Sequence, residues 1–113
     1  MAKFMFLLYE DETPYIDGGD DYNNQMGKLH GEFVAANQPA VIDGHGLQLA
    51  SSACSVREGV VHNTPFAESP RPLGGYYLVE APDMAAAVEL AKRVPVVNGG
   101  VEVRPIETFE GGR

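Results

Sequence analysis

Gly74-Gly75-Tyr76-Tyr77-Leu78-Val79-Glu80-Ala81-Pro82-Asp83 leads into Met84 to Val94, and then Asn98-Gly99-Gly100 precedes Val101-Glu102-Val103-Arg104-Pro105-Ile106. The aromatic and β-branched run predicts a strand, and Asp83 after Pro82 predicts a helix N-cap. Met84, Ala87, Val88, Ala91 and Val94 recur at helical spacing, with Lys92 and Arg93 near the C-terminal end where the helix dipole favours cations. The Asn-Gly-Gly turn starts a last strand that alternates as a half-buried one does. This half of the chain therefore reads strand, helix, strand.

Working back from it, Thr64 to Leu73 carries three prolines and reads as a loop. Cys54-Ser55-Val56-Arg57 and Val60-Val61-His62-Asn63 flank Glu58-Gly59 in the manner of a tight hairpin. Val41-Ile42 opens an extended segment that continues past Gly44-His45-Gly46 to Leu47 and Leu49, the glycines suggesting a bulge or a close backbone approach. Asn23 to Asn37 sets Met26, Leu29, His30, Phe33 and Val34 on one helical stripe, ended by Pro39. Lys3 to Tyr9 is an apolar run of strand length suited to a central strand. The order is an α+β, ferredoxin-like βαββαβ with an extra hairpin. Two helices cover one sheet face, so the other face predicts a homodimer.

Sixteen acidic against eight basic residues leave a net charge of −8, which repels phosphate backbones and anionic lipids, so neither nucleic acid nor a membrane is expected as partner. The acids Glu10, Asp11, Glu12, Asp17, Asp20 and Asp21 lie without a neighbouring Lys or Arg, and residues 10–22 read as a solvated acidic loop. Residues 107–113 read as a flexible tail. No apolar run reaches ~20 residues and the N-terminus is too short for a signal peptide, so a cytoplasmic protein is expected. The lone Cys54, in an apolar stretch, reads as a structural strand thiol.

Asn63-Thr64-Pro65-Phe66-Ala67-Glu68, Leu73 to Ala81, the following helix and Val101 to Ile106 resemble the YCII-related family, and within it the branch named for an Asp-Gly-Pro-Phe signature. The resemblance implies a dimeric α/β barrel of ferredoxin-like subunits, often encoded beside alternative sigma factors. Another branch of the family is thought to use a His and an Asp in acid–base chemistry. Here those positions fall near Gly27, with His30 about a turn later, and on Val94. The signature also departs: Asn63 replaces its Asp and Thr64 its Gly, and Asn cannot ionise, so no general base remains there.

His30 and His45 are the candidate catalytic groups. His45 is unshielded between two glycines, and His30 lies on or beside the helix stripe where it faces a dimer cavity as a base or packs as a hydrogen-bonded core or interface histidine. His62, Asn63, Glu68 and Arg104, with Arg71 nearby, are the candidate ligand-binding residues; the competing reading has the loop packing Phe66 into the core and Arg104 pairing with Glu102, Glu80 or an acid of a second copy. No metal motif and no nucleotide fingerprint are present, and no cofactor is expected. Three functions follow as expectations. The first is small-molecule binding; the second is lyase or isomerase chemistry with a His base; the third is a regulatory dimer linked to sigma-factor signalling.

Overall fold

The computed structural model describes residues 1–107, so the tail expected after Glu107 lies outside the described residues. The first strand, β1 (Ala2–Tyr9), buries Phe4, Phe6 and Leu8 and leaves Met5, Leu7 and Tyr9 half-covered. This period of two places one set under helices and the other on the opposite face. The long helix α1 (Thr13–Ala36) follows, then β2 (Val41–Gly46), the hairpin β3 (Ser55–Arg57) and β4 (Val60–His62), β5 (Leu73–Ala81), α2 (Met84–Ala91) and β6 (Gly100–Pro105). The main sheet has the order β2-β5-β1-β6, and β3 with β4 forms a separate ribbon. All three pairings in the main sheet are antiparallel, as in a ferredoxin-like fold.

Both helices lie on one face. Phe33 of α1 and Ala87, Leu90 and Ala91 of α2 join Phe4, Phe6, Val41, Tyr77 and Val79 in one core, with Val94 closing it. Each large side chain so buried contributes about 2 kcal/mol. The structure moves the expected α2 stripe by part of a turn: Leu90 is buried, whereas Met84 and Val88 stand 40% and 38% exposed. Leu29, placed on the α1 stripe by spacing, is likewise exposed. The molecule is only 18 Å thick along its shortest axis, the depth of one helix layer on a sheet.

Asp83 caps α2 as expected, its carboxylate accepting from Ala86 N at 2.9 Å. Replacing it by alanine orphans that donor in an eight-residue helix, so Asp83→Ala is expected to cost about 1 kcal/mol. Equilibrium urea unfolding checks this.

The acidic stretch is not a loop. Residues 13–22 are helical, and the expected helix from Asn23 is the continuation of one that begins ten residues earlier. Asp11 accepts from Thr13 N at 2.9 Å and Pro14 sits in the first turn, where its missing N–H costs nothing. At Gly19 (φ 61°, ψ −151°) the helix kinks. The side-chain amide of Asn23 repairs the break, donating to Tyr15 O at 3.1 Å and to Gly19 O at 2.7 Å. Asp17, Asp20 and Asp21 remain exposed, so their charge is no obstacle to helix.

The hairpin turns through Glu58 (φ 50°) and Gly59 (φ 82°), the double positive φ of a type I′ turn. Two side chains depart from expectation here. Phe66 is 66% exposed rather than packed in the core, with the Arg57 guanidinium 4.2 Å above its ring. Cys54 precedes β3 and is exposed, its thiol 3.3 Å from Asn63 Oδ1, so it is not a buried strand residue.

Candidate functional site

A cleft of about 760 Å³ opens between α1 and the β2–β5 part of the sheet. Glycines make the room. Gly27 and Gly31 of α1 line it, and a Cβ at either would meet nothing within 4 Å. Glycine inside a helix costs about 1 kcal/mol against alanine, so the stability of α1 is not what these positions serve. Gly44, Gly46, Gly74 and Gly75 form the floor. At Gly44 a Cβ would stand 2.3 Å from the Tyr77 ring, so the β2 glycine is what lets that aromatic lie flat over the strand.

At one end of the cleft, His30 Nδ1 and the Tyr77 hydroxyl are 2.7 Å apart. Phe33 packs on Tyr77 with ring centroids 5.2 Å apart, which fixes the phenol. Burial holds the His30 imidazole below its ordinary range, because the cation would lose solvation, and the same effect raises the Tyr77 phenol. A neutral imidazole with Nδ1 occupied by Tyr77 has Nε2 left for a ligand.

At the other end, Glu10 is buried at the close of β1. Tyr15 donates to its carboxylate, at 3.1 Å to Oε1 and 3.0 Å to Oε2, and Val97 N donates to Oε1 at 3.1 Å. Burial nevertheless outweighs those bonds and pushes the Glu10 carboxyl up; burial and then the adjacent Glu10 charge push the Tyr15 phenol up. Glu12 accepts from Ala50 N at 2.7 Å, closing the segment after β2 across the cleft mouth. Leu8, Met26, Leu47 and Leu49 give the walls an apolar middle. From Gly74 to Tyr77 along β5 is about 10 Å at 3.3 Å per residue, so the two polar ends stand roughly a small aromatic molecule apart.

The raised Glu10 fixes the sign of a pH effect. The folded chain holds this proton more tightly than the unfolded chain, whose carboxyl titrates near the ordinary 4.5. Stability is therefore greatest below that value and falls as pH rises through the folded-state value. Glu10→Gln keeps an acceptor for Val97 N and carries no charge, so its urea midpoint is expected to lack this fall and to exceed that of the wild type at neutral pH.

Of the residues singled out from sequence, His30 has its ring in the cleft. His45 borders it through the backbone of β2, but in the β2–β5 register it stands opposite Tyr76 and its ring lies on the sheet face away from Tyr77. There Nε2 is 3.4 Å from Asp43 Oδ1, and both side chains are more than half exposed, so the pair adds little. His62 and Asn63 are exposed at the end of the hairpin, Glu68 borders a separate, shallower groove of about 280 Å³ beside Ser69, and Arg104 pairs with Glu102 on the helix-free face. Arg71 donates to Asn98 O, away from these residues. The cleft does not gather these four side chains.

Glu10, Glu12, Tyr15 and Tyr77 were not singled out from sequence. A carboxylate directly after an apolar strand and a helix with glycines four apart were the available signals.

Among the described residues no three His, Cys, Asp or Glu side chains converge to hold a metal ion, and no helix is long and apolar enough to cross a membrane. No curated protein matches the chain. Residues 3–110 match the YCII-related domain, whose α+β fold with two helices on an antiparallel sheet is the one described above, and the chain belongs to that family.

Proposed function

We propose that the protein binds a small organic molecule in the cleft between α1 and the sheet. One observation carries this reading: two helix glycines and four strand glycines hold open a cavity of about 760 Å³ that has hydrogen-bonding groups at both ends and an apolar middle. That volume is within the range of small-ligand sites. Gly27→Leu tests it. The added side chain enters empty space and improves helix propensity, so the variant is expected to fold at least as stably as the wild type. A fragment library screened by two-dimensional proton–nitrogen NMR should yield ligands that shift Gly44 to Gly46 and Tyr77 in the wild type. The same ligands should weaken at least tenfold against Gly27→Leu. Hits confined to the hairpin, or equal affinity for the variant, would refute the site.

A second reading rests on the His30–Tyr77 contact. In the tautomer whose Nδ1–H donates to the Tyr77 oxygen, the neutral imidazole has its lone pair on Nε2 and is suited to take a proton there, as lyase or isomerase chemistry on the bound molecule requires. Incubating each ligand with wild type and His30→Gln, followed by proton NMR, decides it. Turnover lost in the variant with binding kept supports catalysis; no turnover in the wild type leaves a binding protein.

The protein acts as a homodimer in this reading. Met5, Leu7, Tyr76 and Leu78 share the helix-free face of the sheet and are only half-covered, and a second copy laid against that face supplies the cover. Leu7→Lys should convert the dimer to a monomer in sedimentation velocity. A wild type already monomeric at 50 μM, on the order of working concentration for a weak dimer, removes the pairing.

A further inference from the structure

The cleft differs from a general apolar pocket in the sign of its charge. Its lining contains two carboxylates, those of Glu10 and Glu12, and no lysine or arginine. Both carboxylates belong to the same end, Glu10 at the close of β1 and Glu12 at the start of α1, and the Tyr15 phenol stands with them. The chain as a whole carries −8, which attracts cations and repels anions before contact. The remaining basic side chain with its ring in the cleft, His30, is kept neutral by burial, so it supplies no positive charge to an anion.

A carboxylate or phosphate ligand would therefore find no lysine or arginine to meet it and two carboxyl groups facing it. An anion that gives up water there without a partner is disfavoured. An ammonium finds the reverse: two carboxyl groups able to accept its hydrogen bonds. Leu47 and Leu49, both partly exposed on the opposite wall, then cover an apolar body.

We infer that the cleft selects organic amines, an ammonium head seated at Glu10 and Glu12 with an aromatic or aliphatic body along the leucine wall. This rests on the small-molecule reading above and names the ligand class for it.

Three probes sharing one indole body separate the possibilities: tryptamine, tryptophol and indole-3-acetate. Each is titrated into the full chain at pH 7 and 150 mM salt, with binding followed by proton–nitrogen NMR. Tryptamine is expected to bind tightest and tryptophol next, with indole-3-acetate at least tenfold weaker than tryptamine. Glu12→Gln should reduce the tryptamine-to-tryptophol affinity ratio several-fold while leaving tryptophol itself unchanged, and Glu10→Gln should act in the same direction.

Tryptophol binding as tightly as tryptamine, or indole-3-acetate binding tightest, overturns the amine assignment and leaves the small-molecule reading intact. A ratio unmoved by either Gln variant also overturns it, since the preference would then come from the net charge of the chain. Because Glu12 is partly exposed, its variant gives a second reading that does not depend on the buried Glu10. Failure of all three probes, together with an empty fragment screen, removes both readings.

Discussion

Gly99→Ala is expected to lower the thermal midpoint by roughly 15 °C, from a cost of about 3 kcal/mol in a domain where each kcal/mol moves the midpoint by about 5 °C. An alanine Cβ at this position would stand 1.8 Å from Tyr9 O and 3.0 Å from Glu10 Cα. Tyr9 is the last residue of the central strand, paired with β5 on one side and β6 on the other, and Glu10 follows it with its N–H on Pro72 O, so neither steps aside freely. Relief requires either β6 or the end of β1 to move, and the latter carries Glu10 off Val97 N. Gly100→Ala is the control. A Cβ there meets nothing within 4 Å, so it should change the midpoint by only a few degrees in differential scanning calorimetry. Equal losses in the two variants would mean that chain flexibility, not this close approach, governs the turn.

Gly44→Ala is the second large effect, and it reaches the cleft directly. Its Cβ would meet Tyr77 ring carbons at 2.3 and 2.7 Å and Tyr76 O at 2.9 Å. The ring has little freedom to retreat, since Phe33 and His30 pack against it at centroid distances of 5.2 and 5.9 Å. Forcing it over should cost about 2 kcal/mol and break the 2.7 Å contact with His30. The expected signature is a shifted Nδ1 resonance for His30, with ligand affinity down at least tenfold. Gly46→Ala, which meets nothing within 4 Å, should leave the His30 signal unchanged. An unmoved His30 signal in Gly44→Ala would show that Tyr77 yields without leaving its partner.

The two glycines also mark how far the sequence could be read. Strand β1, the I′ hairpin and the β5–α2–β6 half were legible because each depends on neighbours within a few residues: alternation, a Glu-Gly turn, an Asp cap. The helix through residues 13–22 was not, because a cluster of acids resembles a solvated loop whether or not its backbone is coiled; what decides is Asp11 and Pro14 at the start and the Asn23 amide at the kink. The cleft was least legible. His30 and Tyr77 are 47 residues apart in the chain, and nothing local to either announces the other. His45 drew notice for its flanking glycines, yet at Gly44 the missing side chain makes room for Tyr77 on one face while His45 turns to the opposite face.

The break at Gly19 divides α1 into a long segment anchored through Met26 and Phe33 and a short piece, residues 13–18, held by Tyr15 on Glu10 and by the Asn23 amide. Regions with few buried contacts open at lower free energy than the core does. The short piece is therefore expected to open before the sheet does, taking Tyr15 from the carboxylate end of the cleft, which native-state hydrogen exchange at Ile16 and Phe6 checks. Opening at that end of the cleft is thus expected to follow the local equilibrium of about six residues, and the shape of the cleft the global one. The two can be altered by different mutations.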